Sequence, residues 1–186
     1  MSATEVRYPD GGKYIGPIRE DSGLPYGVGI KILPDGSKYA GNIQSGLFQG
    51  CGVMTFPDGS KLQVEDMNNP VIGEMPLTSV MTSPCYMFGL HYDAIFPPGY
   101  EGEFTSGKFH GVGIIHNAEG VSFCGEFRDG RVDGKGQITF QNGTHGLKRQ
   151  EGTFLDGILQ TKQKCQAVIE RAKSKAEEAQ SVAGSL

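Results

Sequence analysis

The chain has 186 residues, enough for one or two ordinary domains, and a formal net charge of −4 at neutral pH. It has no global basic field to attract nucleic acid, and no apolar run as long as the roughly 18 residues typical of a transmembrane helix. Glycine is unusually frequent, at 29 residues against an average usage of about 7%. Because these glycines stand beside aromatic residues, the composition favours a regular β architecture with many turns.

The sequence also predicts a cellular compartment. The first residues lack the basic-then-apolar layout of a signal peptide, and Ser2 stands where a myristoylation signal needs glycine. The four cysteines form no CxxC pair: Cys51, Cys85, Cys124 and Cys165. We therefore expect a cytoplasmic protein with four reduced thiols.

A pattern of glycines and aromatics recurs along the chain. The segment 14–38 carries one copy with two additional residues, and 39–61 carries a regular copy. The segments 100–122 (YEGEFTSGKFHGVGIIHNAEGVS) and 123–145 (FCGEFRDGRVDGKGQITFQNGTH) follow each other at an offset of 23 residues. A partial copy begins at 151–157. The offset holds for whole sets of positions, which indicates a repeat architecture.

Each copy has the pattern of a β-hairpin. Tyr100, Gly102 and Phe104 alternate with Glu101 and Glu103, so the first three share one face of a strand and the glutamates the other. Dipeptides that favour tight turns separate the copies: Asp35-Gly36, Asp58-Gly59 and Asn142-Gly143. Stacked hairpins would place glycines beside rings, so that each ring lies on a bare backbone. Ring contacts of about 0.5–1.5 kcal/mol can offset the cost of glycine in a strand.

This pattern resembles the MORN repeat, whose consensus is close to Y-x-G-x-(aromatic)-x-x-G-x-x-x-G-x-G followed by Asp-Gly. The resemblance covers 5–61 and 100–158 and implies an all-β fold: a single-layer antiparallel sheet of stacked hairpins, forming an extended, curved rod. We divide the chain into N-terminal repeats (1–61), an insertion (62–99), C-terminal repeats (100–158) and a helical tail (159–186).

The insertion differs from the repeats in composition. It contains five of the ten prolines, four of the six methionines and no Lys or Arg. Removing 62–99 would place Tyr100 23 residues after Tyr39, so the segment is expected to lie at one hairpin turn. Two interpretations stay open: a regulatory or binding loop, or an irregular or disordered surface excursion.

The tail changes to a helical period. Cys165, Val168, Ile169, Ala172 and Ala176 form one narrow apolar stripe within 159–180, and Thr161 is the candidate N-cap. The helix is expected either to cap or fold back over the last repeat, or to bind a partner helix or a membrane surface.

No catalytic or metal-binding constellation is recognised. The histidines match no zinc-ligand spacing and no nucleophile setting: His91, His110, His116 and His145. The glycine spacing lacks the Gly-Lys-Ser/Thr of a phosphate loop. We expect a protein that is not an enzyme, with no cofactor, no metal and no small-molecule substrate.

An open sheet is expected to leave an aromatic face partly exposed to water, and such faces mark interaction sites. The aromatic candidates for partner binding are Tyr14, Tyr39, Phe48, Tyr100, Phe104, Phe109, Phe123 and Phe127. If the groove lies on the other face, the acidic candidates are Glu101, Glu103 and Glu126. The alternative is that each ring packs between repeats, and the sequence does not choose the face.

The segment from residue 100 to the tail resembles the retinophilin family of small MORN-repeat proteins. The resemblance rests on the repeats, the expansion THGLKRQEG and the Cys-initiated run KCQAVIERAKS. It implies binding to the tail of a class III unconventional myosin in actin-rich projections such as photoreceptor microvilli and filopodium tips. The alternative is a phospholipid-associated tether, with weak anionic-lipid association through the basic residues Lys162, Lys164, Arg171, Lys173 and Lys175.

Overall fold

The structure is a computed structural model that describes residues 4–57, 61–62, 86–87, 98–117, 121–140 and 149–186. In chain order its strands are β1 (Thr4–Arg7), β2 (Lys13–Gly16), β3 (Gly27–Ile32), β4 (Lys38–Gln44), β5 (Leu47–Thr55), β6 (Lys61–Leu62), β7 (Tyr86–Met87), β8 (Gly99–Thr105), β9 (Lys108–His116), β10 (Val121–Arg128), β11 (Arg131–Phe140), β12 (Arg149–Leu155) and β13 (Ile158–Lys162). One helix, α1, spans Gln166–Gly184.

Eleven of these strands form one antiparallel sheet, while β6 and β7 form a separate two-residue parallel pair. The strand order in the sheet follows the chain, and every pair except β5 with β8 joins strands that are consecutive in the sequence. The predicted fold class, a single-layer antiparallel sheet with a C-terminal helix, is confirmed.

The sheet continues across the inserted segment. β5 pairs directly with β8, placing Gly52 opposite Gly102 and Met54 opposite Tyr100. Most of 62–99 lies outside the described residues, as do the Asp58-Gly59 and Asn142-Gly143 turns. The two halves of the array therefore share one uninterrupted sheet.

Four two-residue turns join the strands within the hairpins. Both residues of each turn have positive φ, as a type I′ turn requires: Ser45-Gly46, Ser106-Gly107, Asp129-Gly130 and Asp156-Gly157. At Asp35-Gly36 only the glycine has positive φ (88°), so this predicted turn is not of the type I′ class. Each turn glycine also donates its N–H to a carbonyl of the preceding hairpin, for example Gly107 to Phe48 at 2.9 Å. These bonds join successive turns along one edge of the rod.

A row of glycines crosses eight consecutive strands of the sheet. Its members face each other in register: Gly29, Gly41, Gly52, Gly102, Gly113, Gly125, Gly136 and Gly152. A Cβ on Gly52 would lie 2.5 Å from Cε2 of Tyr39, and one on Gly113 would lie 2.6 Å from Oη of Tyr100. The rings thus lie flat on bare backbone, which is the ring-and-glycine packing predicted from the sequence.

The helix lies on the opposite side of the sheet from the rings. It packs against β4, β5 and β8–β11, so it runs back along the rod instead of capping the last repeat alone. We name the side with the rings the ring face and the other the helix face. The predicted N-cap at Thr161 is wrong, because Thr161 pairs with Thr153 in β12–β13 and the N-cap position is Cys165.

Candidate functional site

The eight aromatic candidates form the interior of the ring face. Each is at most 7% exposed, and four of them (Tyr14, Tyr39, Tyr100 and Phe123) are fully buried. Tyr39 stacks on Phe48 at 4.0 Å, and Tyr100 stacks on Phe109 at 4.1 Å. Edge-on contacts join these stacks into one chain of rings that ends at Phe154. The expectation that these rings stay partly open to water is therefore wrong, because neighbouring hairpins cover them.

The tyrosine hydroxyls of this chain of rings bind the backbone three residues ahead. Oη of Tyr39 donates to the Asn42 carbonyl at 2.6 Å, and Oη of Tyr100 donates to the Glu103 carbonyl at 2.9 Å. Burial raises the pKa of Tyr39 and Tyr100 above the ordinary tyrosine value. These hydroxyls therefore remain protonated donors that fix the ring positions.

Two of the three acidic candidates hold the backbone of their own hairpin. The Glu103 carboxylate accepts the Val112 N–H at 2.8 Å, and the Glu126 carboxylate accepts the Lys135 N–H at 2.6 Å. Each bond lies where the register of the hairpin shifts. Both carboxylates are therefore engaged within the fold.

The third acid contacts the helix. The Glu101 carboxylate accepts the side-chain N–H of Gln180 at 2.8 Å. All three acids are thus on the helix face, which α1 occupies over β4, β5 and β8–β11. A groove for a partner on this part of the face would need α1 to be displaced.

A small apolar cluster attaches the helix to the sheet. It joins Val112 and Cys124 of the sheet to Cys165, Ile169 and Ala172. The thiol of Cys165 donates to the Gly152 carbonyl at 3.3 Å, and its backbone N–H donates to the Glu151 carboxylate. These contacts explain why the helix begins at this cysteine.

The described cysteines are free thiols with raised pKa values. Burial, followed by the Glu178 carboxylate, raises the pKa of Cys51 to about 11. Burial also raises the pKa of Cys124 to about 11 and that of Cys165 above the ordinary value. Because the thiolate is the nucleophile, these thiols are unreactive in the fold. Cys85 lies outside the described residues.

We expect Cys51, Cys124 and Cys165 to resist alkylation by iodoacetamide in the folded protein at pH 7.5. In urea, where burial is lost, all three should react at the rate of an ordinary thiol. Peptide mass spectrometry after timed labelling measures each site separately. Equal labelling of Cys124 with and without urea would contradict its placement beneath α1.

Sequence reasoning missed an apolar row on the helix face of the first repeat. Ile15 of β2 lies opposite Ile30 of β3, and Ile30 lies opposite Ala40 of β4. All three are half-buried. Their signal was the alternation in GVGIKI of β3, where Val28, Ile30 and Ile32 share one face.

Within the ranges given above, no three His, Cys, Asp or Glu side chains lie close enough together to hold a metal ion. Burial lowers the pKa of His116 on β9 below the ordinary histidine value. His91 and His145 lie outside those ranges. None of the described helices combines the length and the apolar character needed to cross a membrane.

The family model for the MORN repeat matches residues 39–61, 100–121 and 123–145. The matched segments carry the hairpins β4–β5, β8–β9 and β10–β11. MORN repeats indicate a non-catalytic repeat protein of a kind that often mediates membrane or protein interactions. Three segments of this chain therefore match the MORN repeat, and their hairpins lie within one eleven-stranded sheet.

Proposed function

We propose that this protein is a non-catalytic adaptor that binds the tail of a class III unconventional myosin in the actin-rich projections of a cell. Filopodium tips and photoreceptor microvilli are the expected locations. The proposal builds on the resemblance of residues 100–174 to the retinophilin family, which includes the cysteine that begins the terminal helix. It places the protein in the cytoplasm, bound to the motor.

One observation carries the proposal. The pairing of β5 with β8 keeps the array continuous across 62–99, with Gly52 opposite Gly102, as glycines face each other in the other strand pairs from β3 to β12. Ten strand intervals of roughly 4.8 Å give a rod of about 48 Å. A rod of this length offers an extended surface for a helix or an extended peptide of a motor tail.

The test is a pull-down of the recombinant full-length protein with a purified class III myosin tail. The tail of a different myosin class is the control for non-specific capture. A second form lacking 62–99 keeps the repeat period, so it should bind as well as the full chain. Failure of both forms to bind the class III tail would contradict the proposal.

A second candidate is a tether to anionic lipid. Four of the basic residues at the tail are exposed, namely Lys162, Lys164, Arg171 and Lys173, whereas Lys175 forms an ion pair with Glu178 at 2.7 Å. About 1 kcal/mol per surface cation is available at an anionic membrane. Co-sedimentation with phosphatidylserine vesicles at low salt tests this role, and protein that stays in the supernatant excludes it.

A further inference from the structure

The helix face changes in polarity from one end of the rod to the other. In the second strand of each repeat hairpin, three alternate residues lie on the helix face. The residue types at these three positions can be compared between repeats. In the first repeat they are Val28, Ile30 and Ile32, and in the fourth they are Lys135, Gln137 and Thr139. The fourth repeat shows that this strand tolerates polar residues at all three positions. The aliphatic residues of the first repeat are therefore not required by the strand itself.

The helix covers part of this face and leaves the first repeat aside. Beneath α1, Val112 (2% exposed) and Cys124 (8% exposed) are buried, and Ile114 is half-buried and packs against the same cluster. Among the described strands, α1 makes its main contacts with β4, β5 and β8–β11, and neither β2 nor β3 is among these principal partners. Ile15, Ile30 and Val28 are only half-buried.

The uncovered residues continue the row on which the helix lies. Register pairs connect Ile114 beneath α1 to Glu101, then to Val53, Ala40, Ile30 and Ile15. The helix ends at Gly184, and its last buried residue is Ala179. An apolar track therefore extends past the end of α1 toward β2 in the same direction along the rod.

A basic row borders this track. Arg7 lies opposite Lys13, and Lys13 and Lys38 both lie opposite Ile32. Arg7 and Lys38 are exposed, and the Glu5 carboxylate pairs with both Lys13 at 2.9 Å and Arg7 at 3.1 Å. Because Glu5 is one acid beside three basic residues, the border keeps a net positive charge. This charge attracts acidic side chains of a molecule that occupies the track.

We propose that the helix face of β2 and β3, bordered by Lys38 at the start of β4, docks an amphipathic helix of a partner protein, laid along the rod beyond the end of α1. An aliphatic stripe on that helix contacts Ile15, Val28 and Ile30, and acidic residues beside the stripe face Lys13 and Lys38. The inference rests on the proposed adaptor function, because it names the surface that a helical segment of the motor tail would use.

The test replaces the three aliphatic residues with those of the fourth repeat: Val28→Lys, Ile30→Gln and Ile32→Thr. Because β11 is intact with these residues, the triple variant should fold, with a melting temperature within about 4 °C of the wild type. Leu155→Gln is the matched control, since Leu155 is 52% exposed at the last hairpin. Lys38→Glu tests the basic border separately.

The probes are the purified class III myosin tail and a synthetic helix with a leucine and alanine stripe bordered by glutamates. We expect the triple variant to bind about tenfold more weakly than the wild type to each probe that the wild type binds. We expect Lys38→Glu to weaken binding mainly at low salt. Leu155→Gln should bind as the wild type does. A synthetic helix bordered by lysines should bind more weakly than the glutamate form.

The outcomes separate the two proposals. If the wild type binds the myosin tail and the triple variant binds equally well, this surface is overturned and the adaptor function stands. If the tail does not bind but the glutamate helix binds and the triple variant loses it, the surface stands and the motor partner is wrong. Binding of neither probe overturns the surface. If the wild type self-associates in light scattering and the triple variant does not, the occupant is instead a second copy of this chain. If the wild type binds vesicles and the triple variant does not, the occupant is instead a lipid surface.

Discussion

Replacing Gly52 with alanine is expected to destabilise the protein by about 2 kcal/mol. The new Cβ would lie 2.5 Å from both Cε2 and Oη of Tyr39 and 2.6 Å from Cζ, and the ring cannot retreat because Phe48 stacks on it at 4.0 Å. Overpacking of this kind costs about 3 kcal/mol, and the reduced entropy of the unfolded chain returns up to about 1 kcal/mol. The melting temperature should fall by about 4–8 °C.

Two variants control for this substitution. Gly184→Ala lies at the end of α1, where nothing stands within 4 Å of the new Cβ, so its effect should be near zero. Tyr39→Leu removes the ring that Gly52→Ala meets, so the double variant should be more stable than the sum of the two single effects predicts. If the two changes in the free energy of unfolding simply add in thermal or urea unfolding, the Tyr39 ring does not lie against Gly52.

Replacing Tyr100 with alanine should have a larger effect, about 4 kcal/mol. Tyr100 is fully buried and contacts the rings of Phe104, Phe109 and Phe127. Its loss opens a cavity above Gly102 and Gly113, which have no side chains to fill it. Since a domain of this size is stable by about 5–15 kcal/mol, the variant should melt about 8–16 °C lower, as circular dichroism would record.

A graded control separates the ring from its hydroxyl. Tyr100→Phe keeps the ring and loses the bond to the Glu103 carbonyl at 2.9 Å, so it should cost about 1 kcal/mol. The equivalent position of the next repeat already carries Phe123, which is also fully buried. If Tyr100→Phe proved as damaging as Tyr100→Ala, the hydroxyl and not the ring would be the main source of stability.

The burial of Tyr100 also bears on how partner binding should be tested. A partner-binding defect in Tyr100→Ala or Phe123→Ala would reflect loss of the fold, since neither side chain reaches the surface. Substitutions at half-buried positions such as Ile30 test a surface without removing the core. The aromatic candidates thus stay predictions for binding, but the structure assigns them first to packing.

Much of the fold could be predicted because its signals are local. Three local features can be read from one short segment: a strand, a glycine whose bare backbone the aromatic ring covers, and a turn. The spacing that specifies them is that of Tyr100, Gly102, Phe104 and Gly107. The 23-residue offset then repeats that unit, and order along the chain becomes order in the sheet. The apolar stripe from Cys165 to Ala176 likewise predicted the helix. Its predicted N-cap, Thr161, instead belongs to strand β13.

The candidate surface could not be predicted in the same way. Whether Phe109 meets water depends on Tyr100 of its own hairpin and on Phe127 of the next hairpin, which cover it only when the strands are in register. The place of α1 depends on contacts such as Cys124 with Ile169, which are 45 residues apart. The sequence by itself determined the hairpin, the ring-and-glycine pairing and the helix, because each depends on residues close together in the chain. The tertiary structure alone decided which face is filled by rings, which is covered by α1 and which aliphatic row remains, because burial depends on long-range contacts.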